Sequence, residues 1–475
     1  MDSWPAILFF MNFRCLHKVA LVSVGLISCA QYSAQESYLA LLFLNSDSGG
    51  GGNGPGMYAN VSGLSGTLVL QNGGANDWTI TSDGTFLYPG SIASSDAYAF
   101  TIYSRPANQT CTISGGDNGD GTGTYSGDTE TVTVSCSTNG AAVLSGIQTG
   151  TTTMNPALRN IAVTAVNMSR SFVICYFQTD SSDPSQVPTC QLTATNQVQI
   201  QTGGANAANT VRYYLAEFSS GVSVQRGNLQ LTAGNLRGTA TLGMPVNTAR
   251  SFIWVTSRTT DNTRTADERR TVTARFSNSS TIQFDRNESG TVVDIEWQAI
   301  EISSGTVQSG ISSMANGQAS LVVTLPTQFN TSRTALIMNY RGGTTVNGIE
   351  GDFYVQGALS GTNTLTFTRI ASNGTVDISW FVVELTDGAS VQSGTATTLP
   401  APNSETNIDV TLSPAVDLTR TIPFVYGTVF NDSDSDQDSG SFTPTLTSTT
   451  NLRLSRGSNQ DRRADAAWYT IQLAP

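Results

Sequence analysis

A fixed period organises the alternation of apolar and polar residues over positions 143–475. In the stretch Thr375 to Gly394, apolar and polar residues alternate up to Trp380, and both alternating sets are apolar after it. Close copies of this stretch surround three other aromatic residues, at Tyr213, Trp297 and Trp468, and the four anchors lie 84, 83 and 88 residues apart. A period of this kind indicates tandem structural units.

A Val-x-[Ser/Arg]-Gly step marks the start of each copy. It occurs at Val143, Val224, Val307 and Val391 and predicts units 143–223, 224–306, 307–390 and 391–475. The third unit contains six short apolar segments: Val307 to Met314, Ser320 to Leu325, Thr334 to Tyr340, Asp352 to Ala358, Thr364 to Ile370 and Thr375 to Thr386. Six short strands with polar turns predict a compact antiparallel sandwich or jelly roll. The anchor strand is apolar on both faces, so we expect it to be central in its sheet and covered on both sides.

Residues 59–137 alternate in the same way and contain Asn-Gly, Asp-Gly and Pro-Gly turns, which predicts a separate β-sandwich. Three segments, Val61 to Asn72, Gln109 to Ile113 and Val132 to Cys136, resemble an Ig-like repeat of exported and surface proteins of spirochaetes and other Gram-negative bacteria. The resemblance implies a spacer or binding module without catalytic residues. The repeated units are similar to small β-sandwich lectin and phage-fibre modules in general pattern. The predicted fold class is therefore all-β, with multidomain antiparallel sandwiches.

The N-terminal residues are typical of a targeting signal. Met11 opens a segment with basic residues, an apolar run and then Leu26-Ile27-Ser28-Cys29, so residues 1–28 are predicted to be a signal peptide whose true start is Met11. The last four residues resemble a bacterial lipobox, which implies cleavage before Cys29, acylation of Cys29, and attachment to a lipid bilayer. The alternative is an ordinary secretory signal with a chance cysteine. Residues 29–58 then form a Gly-rich tether, and we expect an outer-membrane lipoprotein exposed at the cell surface.

Cysteine usage agrees with export. After Cys15 and Cys29 are set aside, four cysteines remain as two local pairs, Cys111 with Cys136 and Cys175 with Cys190. Disulfides persist in oxidising compartments, so both pairs are predicted to be bonded. Cys-x-x-Cys spacing is absent from the sequence, which disfavours zinc.

Composition excludes several kinds of chemistry. Removal of residues 1–28 leaves 21 basic and 34 acidic residues, a net charge of −13, and takes away the only histidine, His17, and the only lysine, Lys18. The mature chain would lack a histidine base or metal ligand and a lysine Schiff base. An acidic chain without basic clusters is also a poor partner for nucleic acid.

Two kinds of residue suggest ligand sites. Trp297, Trp380 and Trp468 could stack on sugars, although their phase with Ile and Val favours core packing. Alternate acidic residues at Asp432, Asp434, Asp436 and Asp438 suit calcium, although they lack the glycine and the glutamate of an EF-hand loop and a solvated acidic loop is favoured. We expect no other cofactor.

Recurring carboxylates raise the question of catalysis. Glu217, Glu301 and Glu384 follow the anchor aromatic by four residues, and Gln472 takes this place in the fourth unit. Paired carboxylates can hydrolyse glycosides, but the sequence places no second carboxylate beside the first. The chain is therefore predicted not to be an enzyme.

Arginine and aspartate recur around the turn before each anchor strand. A hairpin centred on Asn373 would place Arg369 opposite Asp377, and the same register predicts the pair Arg286 with Asp294. Arg456 and Asp465 are predicted to stand nearly opposite each other about a loop longer by one residue. The first unit has Thr202 and Thr210 at these positions. A repeated arginine-lined ligand site is the functional alternative to a structural cross-strand pair.

Two functions from different classes remain open. The first is a multivalent binding or adhesion protein with a carbohydrate or protein ligand, in which four like units give avidity. The second is a structural envelope lipoprotein without a soluble ligand. A carboxylate-based glycoside hydrolase is a distant third.

Overall fold

The computed structural model describes residues 54–474 except 107–108, 139, 182, 264, 344–352, 371, 399–405, 430–439 and 458–462. The predicted signal peptide, the lipidation site Cys29 and nearly all of the tether lie outside the described residues. So do Asp432, Asp434, Asp436 and Asp438.

The N-terminal domain is a β-sandwich of two four-stranded sheets, with orders β4-β1-β8-β6 and β3-β2-β5-β7. Its strands are β1 Gly56–Ser62, β2 Leu68–Asn72, β3 Ala75–Ile80, β4 Gly84–Leu87, β5 Ala97–Ser104, β6 Gln109–Gly115, β7 Thr122–Thr124 and β8 Thr129–Thr138. Leu68, Leu70 and Phe100 fill a core separate from that of the repeats. Cys111 and Cys136 stand opposite each other on β6 and β8 and form the predicted disulfide.

The four repeated units follow, and each contributes six strands to the described part of the chain. Unit 1 has β9 Val143–Met154, β10 Leu158–Ala162, β11 Ser171–Gln178, β12 Thr189–Ala194, β13 Gln197–Gln201 and β14 Asn206–Ser220. Unit 2 has β15 Val222–Leu231, β16 Arg237–Thr241, β17 Ser251–Arg258, the short helix α1 Thr265–Arg270, β18 Thr273–Asn278, β19 Thr281–Asp285 and β20 Val293–Ile302.

Units 3 and 4 repeat this order. Unit 3 has β21 Gly305–Met314, β22 Ser320–Thr324, β23 Thr334–Gly342, β24 Gln356–Leu359, β25 Thr364–Thr368 and β26 Val376–Leu385. Unit 4 has β27 Ser390–Thr397, β28 Asn407–Thr411, β29 Thr421–Val429, β30 Phe442–Ser448, β31 Asn451–Arg456 and β32 Ala464–Gln472. Short 3-10 turns lie at Met168–Arg170, Pro184–Gln186, Thr248–Arg250 and Thr331–Arg333. The all-β, multidomain antiparallel fold predicted from the alternation is confirmed.

Every unit has the same topology. Its first, sixth and third strands form one antiparallel sheet, in the order first-sixth-third, and its second, fifth and fourth strands form the other, in the order second-fifth-fourth. The sixth strand carries the anchor aromatic and is central, as its apolar faces predicted. The fifth and sixth strands, although adjacent in sequence, belong to different sheets.

The anchor aromatics pack on glycines of the first strand. Trp297 stands opposite Gly227, Trp380 opposite Gly310 and Trp468 opposite Gly394, which are the glycines of the Val-x-[Ser/Arg]-Gly step. In unit 1 the glycine opposite Tyr213 is Gly150, four residues after the glycine that the sequence step selected, Gly146. A flat ring lies where a Cβ would project, so glycine is required by close approach.

Alanine at Gly310 should destabilise the protein by about 1–3 kcal/mol, because its Cβ would lie 2.4 Å from Cζ2 of Trp380 and the buried ring cannot move away. Gly146 is the matched control on a first strand, since a Cβ there meets nothing within 4 Å. We expect urea unfolding to show Gly146→Ala as neutral or slightly stabilising. Equal effects of the two alanines would contradict the packing role.

The four units close into a ring. The second face of each anchor strand packs on the third or fourth strand of the preceding unit, and unit 1 packs in the same way on unit 4. The residue after each anchor aromatic makes the contact. The Gln298 side chain accepts the backbone N–H of Val173 at 3.0 Å and donates to the carbonyl of Val173 at 2.6 Å. The rings of Phe381 and Phe276 lie 6.2 Å apart.

Two tyrosines complete the ring. The Tyr469 hydroxyl donates to the carbonyl of Gly357 at 2.9 Å, and the Tyr214 hydroxyl donates to the carbonyl of Pro444 at 2.7 Å, which joins the first unit to the last. Head-to-tail contacts of one kind form a ring when the rotation between units closes. One hydrophobic core consequently runs through all four units.

Candidate functional site

The third strands of the four units converge on a cavity inside the ring. It has a volume of about 220 Å³. Residues 175–177, 254–257, 338–340 and 425–427 of β11, β17, β23 and β29 line it. Segments that lie before or at the start of the fourth strands complete the lining, at 187–188, 270–272, 354 and 440–442. The four contributions are equivalent, so the cavity is a product of ring closure.

Aromatic side chains form much of the wall. The ring of Trp254 lies 5.9 Å from that of Tyr176 and 6.0 Å from that of Phe424, in edge-on contacts that join units 1, 2 and 4. On the side of unit 3, the Tyr340 ring lies 6.1 Å from that of Tyr354. These neighbours hold the aromatic wall in place from several directions.

Polar groups are interspersed in this wall. The Thr256 hydroxyl accepts the backbone N–H of Cys190 at 3.2 Å, and the Asn339 side-chain oxygen accepts from Ser379 at 3.4 Å. The Tyr426 hydroxyl accepts the Met338 N–H at 3.2 Å. Thr256 and Asn339 are half-buried, so their side chains remain partly accessible.

The charged groups at the cavity form an ion pair. Arg270, at the end of α1, lines the cavity and pairs with Asp267, which is fully buried behind it. Burial raises the pKa of Asp267, and the charge of Arg270 opposes this rise. Burial also raises the pKa of the neighbouring Tyr340, so its hydroxyl stays protonated at neutral pH.

A carboxylate at the junction of units 1 and 2 titrates near neutrality. Glu296 accepts from Gln191 of β12 at 3.1 Å, and burial raises its pKa to about 7. The charge of Arg258 opposes the rise, and the charge of Asp294 adds to it. Glu296 is the cross-strand neighbour of Thr256, and so it lies one strand away from the cavity wall.

Glu296→Gln should stabilise the protein at pH 8 and leave its stability unchanged at pH 4. The folded-state pKa of about 7 is above the ordinary 4.5, so wild-type stability falls as the pH rises between these values. The gain at pH 8 should be about 1–2 kcal/mol, less than the full shift because Glu296 is only partly buried. Urea unfolding at both pH values measures it. A difference independent of pH would contradict this account.

The recurring glutamates have a structural role. Glu217 accepts the backbone N–H of Asn167 at 2.7 Å, Glu384 accepts that of Asn330 at 3.3 Å, and Gln472 accepts that of Asp417 at 2.7 Å. An amide oxygen accepts this bond as well as a carboxylate does, which explains the glutamine of unit 4. Glu301, at the equivalent position of unit 2, forms an ion pair with Arg105 of the N-terminal domain.

These bonds hold a repeated turn that sequence reasoning missed. Asn167, Asn247 and Asn330 each cap a 3-10 turn by accepting the N–H two residues later, and Asp417 does the same at 2.9 Å. The signal was present as a recurring Asn/Asp-x-[Ser/Thr/Ala]-Arg-[Ser/Thr] sequence ahead of each third strand.

The tryptophan anchors belong to the core. Trp297, Trp380 and Trp468 are 6–7% exposed, which confirms the interpretation favoured by their phase. The sequence did not single out Trp254, Asn339 or Tyr340 of the cavity. The third strands that carry them are apolar on both faces, as in Ser171–Gln178, and this pattern is the signal that could have pointed to them.

The predicted arginine–aspartate hairpin is wrong, because the fifth and sixth strands that would form it lie in different sheets. Asp294 pairs with Arg258 at 2.7 Å, Asp377 with Arg341 at 2.9 Å, and Asp465 with Arg463 at 2.9 Å. Arg286 and Arg369 instead donate to backbone carbonyls of the loops around them, and both are buried, as is Arg456.

The second predicted disulfide is present, since Cys175 of β11 and Cys190 of β12 are bonded and join the two sheets of unit 1. Within the described ranges no cluster of three acidic, cysteine or histidine residues could hold a metal ion. In the same ranges no helix is long and apolar enough to cross a bilayer.

Comparison with protein-family models and with curated proteins finds no match for this chain.

Proposed function

We propose that this chain is an exported binding protein, anchored to the outer membrane through acylated Cys29 and exposed at the cell surface for adhesion or ligand capture. One observation supports this proposal above the others. The four units converge on a single cavity of about 220 Å³, lined by aromatic and polar side chains. This arrangement favours one shared binding place over the four separate places of a multivalent array.

Anchoring is tested by metabolic labelling with a palmitate analogue. The wild-type chain should be labelled and a Cys29→Ala chain should not, because the lipobox resemblance makes this thiol the acceptor. Protease shaving of intact cells should then release fragments of residues 59–475. Equal labelling of the two chains would overturn the anchor.

Ligand binding is tested with the full chain in detergent, screened against glycans and matrix proteins. Ser257→Phe would fill the cavity from a half-exposed position on β17, and Ser309→Phe makes the same change at an exposed position on β21. We expect Ser257→Phe to abolish binding of any ligand found and Ser309→Phe to preserve it. If both variants retain binding, the ligand binds outside the cavity.

A structural envelope lipoprotein is the second candidate. One observation favours it: in the described part of the chain, Tyr103 is the one aromatic side chain that is largely exposed, at 47%. Surfaces that bind proteins or long glycans are usually richer in exposed aromatic residues. A screen without any ligand, for a chain that is labelled and displayed, would favour this candidate.

A further inference from the structure

The dimensions of the cavity limit what it can hold. Its volume of about 220 Å³ suits a molecule no larger than a monosaccharide. The third strands that form its wall contribute buried residues to the shared core, and several aromatic contacts hold them. Because a well-packed wall of this kind changes shape little, the cavity would hold a group of this size, either as a free molecule or as the end of a longer ligand.

The chemistry of the wall is that of a site for a polar but uncharged ring. Trp254 and Tyr340 are aromatic residues of the lining, and Asn339, Thr256 and Ser257 add an amide and two hydroxyl groups at half-buried positions. An aromatic surface suits the C–H face of a sugar, and the amide and hydroxyl groups suit its hydroxyl rim.

The charges in the wall disfavour an ionic ligand. Arg270 is the one side chain charged at neutral pH among the lining residues that the structure describes. Its charge is balanced by Asp267, which is fully buried and paired with it. A charged ligand would lose its hydration without gaining an uncompensated counter-charge, whereas a neutral ligand avoids this cost.

We propose that the cavity binds a neutral monosaccharide or a polyol of similar size. The inference rests on the proposed function, since it names the ligand class of the same site. Asn339 on β23 is the side chain that we expect to bind the hydroxyl rim most directly, because it is half-buried, lines the cavity and carries both a donor and an acceptor.

The test is titration calorimetry of the full chain in detergent with glucose, galactose and mannose, and with glucuronate and glucosamine as charged counterparts. At least one neutral sugar should bind at least tenfold more tightly than both charged sugars. Asn339→Leu should weaken that binding tenfold or more, and Asn228→Leu, at an exposed position on β15, should leave it unchanged. Ser257→Phe should abolish it, which gives a second test if Asn339→Leu fails to fold.

Several outcomes would overturn the inference. Glucuronate or glucosamine that binds as tightly as the neutral sugars would show that the charge argument fails. Unchanged binding in Asn339→Leu and Ser257→Phe would place the sugar elsewhere. If no sugar binds while Ser257→Phe still blocks a ligand from the wider screen, the ligand class is wrong and the proposed function stands.

Discussion

Replacing Arg369 by methionine should destabilise the protein by about 3–5 kcal/mol, because it leaves one buried carbonyl and three partly buried carbonyls without a donor. Arg369 is 3% exposed. Its guanidinium donates to four carbonyls from the loops on either side of β22 and β25, those of Gln318 at 2.9 Å, Ala315 at 2.7 Å, Gly374 at 2.7 Å and Ser372 at 3.4 Å. A methionine fills a similar volume but cannot donate. Urea unfolding of the full chain measures the loss.

Asp377 provides the decisive control. It pairs with Arg341 across strands β23 and β26, where both side chains are 20% exposed, so Asp377→Asn should cost below about 1 kcal/mol. The effects of Arg369→Met and Asp377→Asn should add, since the two residues have different partners. Arg453→Met, at an exposed ion pair with Asp409, should change stability little. A strong coupling between Arg369 and Asp377 would restore the direct pair that the sequence predicted.

The failure of that pair shows what alternation alone cannot decide. Residues 369 and 377 flank a turn of the length expected for a hairpin, and a crossover between sheets gives the same spacing. The period of two reports which residues share a face of a strand, but it does not report which strand lies beside it. The strand positions of unit 3 were predictable because they depend on local alternation and turns, whereas the pairing depends on the whole unit.

Ring closure could not be predicted from the sequence. The anchor strands are apolar on both faces, which predicted that a second layer covers them, but the covering strand belongs to another unit. The residue that makes this contact also varies, being Tyr214, Gln298, Phe381 or Tyr469, so no motif marks it. The closing bond from Tyr214 to Pro444 spans 230 residues. The cavity exists only once this bond joins the first unit to the last, and its lining residues could not be selected beforehand.

Removal of unit 4 should abolish the cooperative folding of the other three. A chain that ends at Gly388 loses Phe424 from beside Trp254 and leaves Tyr214 without the Pro444 carbonyl, which exposes core surface of units 1, 2 and 3 together. The loss should be comparable to the whole stability of a domain, about 5–15 kcal/mol.

Differential scanning calorimetry and limited proteolysis of the full chain and of this truncated chain test the ring directly. A chain lacking residues 57–138 is the matched control, because the N-terminal domain has its own core and its removal leaves every contact between repeats in place. We expect the control to keep one cooperative transition for residues 143–475 and the truncated chain to be rapidly degraded. Independent tandem units would behave in the opposite way: loss of unit 4 would leave the transition of units 1 to 3 unchanged, because each unit would then bury its anchor strand within its own two sheets.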